Sequence, residues 1–129
     1  MLDWFKKRKP NRPATPDFSA VDSLAKAVEM FQRGELEKLY LMPLEYGGTD
    51  NPLNTLYVPV GVAAVKSRID NGVIAELVAA GTVSQYSAKP AYQGKSFIPI
   101  SVTVVASNPG EFTTTINIWG SAVTGESAT

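Results

Sequence analysis

Three carboxylates stand where acid–base work would be conceivable: Glu45, Glu76 and Glu111. A pair of such groups can hydrolyse a glycoside if burial raises one pKa while the other stays ionised. Nothing in their spacing brings two of them together. Glu76 falls on a predicted helix and Glu111 beside a turn, so solvated surface groups are the expectation and no catalytic residue is assigned. Gly94, Lys95 and Ser96 resemble the end of a phosphate-binding loop. That loop needs a glycine five residues earlier and a helix afterwards. Position 89 is Lys89 and the downstream residues read as a strand, so a simple turn is expected. Glu45, Asp50 and Asn51 flank Gly47 and Gly48, where oxygens could approach a hard cation. Asp and Asn also cap turns through their own backbone, and that is the reading adopted. No metal or cofactor is expected.

The chain contains neither cysteine nor histidine. Thiolate nucleophiles, disulfide staples, the usual zinc sites and Ser-His or Cys-His relays are therefore all excluded. Enzymes lacking both residues exist, yet the balance moves towards a protein that binds.

Two features are suited to binding. Thr103, Thr115, Asn117 and Trp119 share a parity along two successive strand segments, which places hydroxyls, an amide and an indole on one face of a predicted hairpin. An exposed indole there would anchor a protein partner, so these four are the candidate partner-binding residues. At the other end of the chain, Leu2, Trp4 and Phe5 precede Lys6, Lys7, Arg8 and Lys9. Rings at a lipid interface with bases over anionic headgroups would suit a membrane surface, and the same bases would suit nucleic acid. The twelve acids match the twelve bases overall, but five bases lie before residue 13, leaving residues 13–129 with seven bases and eleven acids, a net −4. An acidic body opposes generic nucleic-acid binding, so any such contact, with nucleic acid or an anionic membrane, is expected only through the tail.

The elements that must position these residues follow from periodicity and punctuation. At 129 residues, with 44 % hydrophobic and 19 % charged side chains, one core is expected without metal or disulfides. Pro10, Pro13 and Pro16 mark residues 1–16 as a disordered basic tail and linker, 17–120 as a single domain and 121–129 as a disordered C-terminal tail. Ser19 and Asp22 suggest a capping box that starts a helix near Ser19, with Val21, Leu24, Ala25, Val28 and Phe31 as its buried stripe. Strands are predicted over 39–46 and 55–60, weakened by Pro43 and Pro59. Helical spacing returns over 62–80, interrupted at Asn71 and Gly72, and a third strand is expected over 82–88. Ile98, Ile100, Val102, Val104 and Ala106 form one face of a fourth strand. Phe112, Ile116 and Ile118 form that of a fifth, across a type II turn at Pro109–Gly110.

The expected fold class is therefore α+β: two helical regions packed on one face of a largely antiparallel sheet of about five strands, with a C-terminal β-hairpin. The expected function is a non-enzymatic protein-interaction module of the bacterial adaptor or toxin-neutralising (immunity-type) kind, cytoplasmic, with homo-oligomers conceivable through edge strands. The competing readings are a membrane-surface or nucleic-acid binder acting through the tail and a carboxylate-dependent hydrolase.

Overall fold

The computed structural model describes residues 16–124. It is an α+β fold whose five strands divide into two antiparallel sheets rather than the single sheet expected from the sequence. Helix α1 (Leu24–Gln32) leads into β1 (Leu36–Tyr40), a 3-10 turn (Leu44–Tyr46) and β2 (Thr55–Pro59). Helix α2 (Val62–Arg68), a π-helical turn (Ile69–Ile74) and α3 (Ala75–Ala79) follow, then β3 (Gln85–Ala91), β4 (Ser101–Ser107), β5 (Glu111–Asn117) and the short α4 (Ser121–Thr124).

The first helix starts four residues later than its capping box suggested. Ser23, in an extended conformation, accepts a hydrogen bond from the Lys26 N–H at 3.1 Å and is the N-cap. Ser19 instead donates from its own N–H and hydroxyl to Asp17 Oδ1, closing a local turn upstream. Ser23→Ala therefore costs about 1 kcal/mol, because one first-turn N–H loses its acceptor. Ser19→Ala stays within about 0.5 kcal/mol, as expected for an exposed residue outside the helix. Denaturant titration of the two variants checks this, and the reverse order of midpoints would return the cap to Ser19.

The first sheet pairs β1 with β2, with Leu39 opposite Leu56. Pro43 shows why the predicted 39–46 strand is too long: without an N–H it cannot continue a ladder, and the chain turns into the 3-10 segment that it caps. Asn54 takes over the pairing. Its side chain accepts from the Met42 N–H at 2.7 Å and donates to the Met42 carbonyl at 3.0 Å. Gly48 packs against that same carbonyl so closely that any Cβ would collide with it, which makes glycine necessary here for space. At the other end, Pro59 is the last residue of β2.

In the second sheet β4 lies between β3 and β5. Its inward residues Val102, Val104 and Ala106 are wholly buried, and Ile116 of β5 joins them. The connection between β4 and β5 is not the expected type II turn. Asn108, not Gly110, carries the positive φ, and the Asn108–Pro109 peptide bond is cis. Gly110 is needed for another reason. Its N–H donates to the Thr82 carbonyl at 2.8 Å, and a Cβ would come within 2.8 Å of Thr82 Cγ2.

Helix α2 packs against β1 and β2 and also against β5, tying the two sheets together. The interruption at Asn71 and Gly72 falls inside the π-helical turn, so the helical region continues through a wider turn instead of breaking. At the C-terminus, residues 121–124 were expected to fray and instead form α4, whose Ser121 N–H donates to Gln93 Oε1 at 2.9 Å. No helix among the described residues is long and apolar enough to cross a membrane.

Candidate functional site

An open cleft of about 450 Å³ lies where α1, β2, the 50–52 loop and the 92–97 loop converge. Leu56 and Tyr57 of β2, both half-buried, line it. Its walls are Leu24, at the first turn of α1, and Tyr92 and Phe97 from the loop before β4. These three are 53 %, 46 % and 47 % exposed, although apolar side chains of this size are usually covered. The rim is polar. Lys38 pairs with Asp50 at 3.5 Å, and Asp50 Oδ1 accepts from the Thr55 hydroxyl at 3.4 Å.

The Phe97 wall is held by its backbone rather than by the side chain that it presents. The Phe97 N–H donates to the Val21 carbonyl at 2.8 Å, leaving the ring free to face outwards. Beside it, the Ser96 hydroxyl donates to the Phe18 carbonyl at 2.8 Å and accepts from the Ile98 N–H at 3.0 Å. Ser96 is thus spent inside the protein, and no helix follows it, which disposes of the phosphate-loop reading of Gly94–Ser96. On the opposite side, Asn51 Oδ1 accepts from the Leu53 N–H at 2.9 Å, as the turn-capping reading expects. Burial pushes the Tyr92 hydroxyl up from its usual pKa, so it is a neutral hydrogen-bonding group at physiological pH.

A second cluster of polar side chains is buried where α2 and the π-helical turn meet β3. Lys66 Nζ meets Asp70 Oδ2 at 2.6 Å and the Tyr86 hydroxyl at 2.7 Å, while Tyr86 donates to Asp70 Oδ1 at 2.7 Å. The Tyr46 hydroxyl donates to the Asp70 carbonyl, and its ring meets Tyr86 edge-on at 5.7 Å. The Lys66 and Asp70 side chains are each only 4 % exposed. Burial draws the Lys66 ammonium down from its ordinary pKa, opposed by its hydrogen bond and attraction to Asp70. Burial raises Tyr86 steeply, and the hydrogen bond and charge of Asp70 raise it further. A phenol held this firmly protonated is a poor base. A lysine committed to a carboxylate is a poor nucleophile. The cluster carries the π-helical turn, a feature often found at functional positions, but its hydrogen bonds are all internal and it joins α2 to β3.

Trp119, expected as an exposed anchor, is in the core. It is 2 % exposed, donates from Nε1 to the Ile98 carbonyl at 2.9 Å and meets Phe18 edge-on at 5.8 Å. Thr103 and Thr115 do face each other on the outer side of the second sheet, their hydroxyls 3.0 Å apart. Asn117 lies exposed on the same side, opposite Ser101. That face consequently presents hydroxyls and an amide without the indole meant to anchor a partner. Trp4, Phe5, Lys6, Lys7, Arg8 and Lys9 lie outside the described residues. Glu45, Glu76 and Glu111 belong to three separate elements, the 3-10 turn, α3 and β5. Among the described residues, no group of three or more acidic side chains is placed to hold a metal ion.

The cleft was not assigned from the sequence. Helical spacing puts Leu24 in the buried stripe of α1, and the β pattern around Ile98 and Ile100 draws Phe97 into a strand. One signal was present: Phe97 is out of phase with Ile98 and Ile100, so a large ring on the wrong parity had to face outwards or leave the strand. Fold and cleft together define an α+β protein with an aromatic, polar-rimmed cleft. Comparison with family models, curated proteins and solved structures found no match.

Proposed function

We propose that the protein is a non-enzymatic interaction module that receives apolar side chains of a protein partner in this cleft. The observation that carries the reading is the convergence of Leu24, Tyr92 and Phe97 on one cavity, each about half exposed, with Leu56 and Tyr57 lining it beside them. Aromatic anchors within a polar rim are where binding energy concentrates at protein interfaces. The Lys38–Asp50 pair and Asn51 supply directional contacts around that centre, which favour register and selectivity over raw affinity. The bacterial adaptor or immunity-type role stays a proposal of the same class, as does a cytoplasmic setting.

A library of displayed linear peptides selected on the full chain tests this. The expected winners carry an aromatic or large aliphatic residue. Tyr92→Ala and Phe97→Ala should each weaken a winner by about ten-fold or more, the effect of removing an interface anchor. Thr115→Ala should leave it unchanged. Winners that depend on Thr115 and Asn117 but ignore Phe97 would transfer the binding role to the hydroxyl-bearing sheet face.

A further inference from the structure

We propose that, when no partner is bound, the cleft is occupied by the chain's own N-terminal segment Leu2–Phe5, so that a partner must displace an internal competitor. The inference rests on the cleft being a binding site and adds a mode of regulation to it.

Four observations lead to this occupant. The chain passes into the fold beside the cleft. Phe18 and Val21, two and five residues beyond Pro16, are hydrogen-bonded through their carbonyls to Ser96 and Phe97, the latter a cleft wall. The distance can be spanned, since eleven residues from Phe5 to Pro16 reach up to about 36 Å when extended. The chemistry matches, because Leu2, Trp4 and Phe5 supply large apolar side chains to a cavity walled by leucine, tyrosine and phenylalanine. Charge favours the approach too. Five bases between residues 6 and 12 accompany that segment towards a body of net −4. Tethering adds to all four. A short linker holds its ligand at an effective concentration on the order of millimolar, so even weak intrinsic affinity fills the site.

A labelled synthetic peptide of residues 1–9 is the probe, titrated by fluorescence anisotropy against two full-length chains: wild type and a variant carrying Leu2→Ser, Trp4→Ser and Phe5→Ser. The variant should bind the peptide about ten-fold more tightly than wild type, because its cleft has lost the tethered competitor. Adding Phe97→Ala to the variant should abolish that binding. Equal affinity of both chains would overturn the proposal, since the native segment would then not hold the cleft. So would failure of both to bind. In either case a library-selected peptide that still requires Phe97 leaves the cleft reading standing, whereas loss of that binding as well removes both. Wild-type binding that recovers on dilution would make the occupant the segment of a second copy, which also overturns self-occupation.

Discussion

Trp119→Ala is expected to lower the stability of the protein by about 3–5 kcal/mol, the usual cost of truncating a large aromatic in a packed core. The magnitude follows from what the ring does. It is among the largest of the fully buried side chains, its edge contact with Phe18 fixes the segment ahead of α1, and its N–H satisfies the Ile98 carbonyl. Removing it opens a cavity and leaves the buried Ile98 carbonyl with only the longer 3.5 Å contact from the Ser96 hydroxyl. Trp119→Phe should lose less, because most of the apolar volume is kept while the hydrogen bond is not. Denaturant melts of both variants check the order. An unchanged midpoint for Trp119→Ala would place the indole in solvent and restore it as a candidate anchor. Since domains are stable by only roughly 5–15 kcal/mol, the alanine variant should also bind selected peptides less well simply by being partly unfolded. Stability therefore has to be measured first.

The misplacement of Trp119 shows where the sequence stops being legible. Parity along β4 and β5 places Val102, Val104, Ala106 and Ile116 inside, and they are buried. Carrying the same parity past Asn117 puts residue 119 outside. The strand, however, ends at Asn117. The N–H groups of Ile118 and Trp119 both donate to the Ile100 carbonyl, at 2.7 and 3.3 Å, so the chain bends and two consecutive side chains turn inwards. Period two has meaning only while the ladder continues, and nothing local marks its end. Leu24 fails for a related reason. Helical spacing puts it in the apolar stripe, but Ser23 is the cap, so Leu24 lies on the first turn at the edge of the packed surface, where it borders a cleft. The cleft itself joins residues from positions 24, 57 and 97, and their proximity is created by tertiary structure alone. The Lys66–Asp70 pair is legible as a helical i,i+4 spacing. Its burial is not, because that depends on β3 bringing Tyr86 over it.

Lys66→Met should cost about 3–5 kcal/mol, because it strands the Asp70 carboxylate in the interior without its cation. The size of the loss reports the cost of the orphaned charge, not the worth of the pair. Replacing the whole group with apolar side chains of similar shape, Lys66→Met with Asp70→Leu and Tyr86→Phe, should recover most of it, since no buried polar atom of the three is left unsatisfied. Urea titrations of the single and triple variants make the comparison, and a single variant as stable as wild type would mean that the pair is solvated. The same group contributes to the alkaline limit. Tyr86 and Tyr46 have pKa values raised above their ordinary value near 10, so above that pH the native state keeps protons that the unfolded chain has lost. Their contribution is fully present below about pH 10 and is lost as pH rises further. The depressed pKa of Lys66 acts in the opposite sense, but only below its ordinary value near 10.4, above which neither state holds that proton. Stability of the wild type should therefore fall beyond about pH 10.5, and the triple variant, which loses Tyr86 but keeps Tyr46 and the likewise raised Tyr92, should fall less.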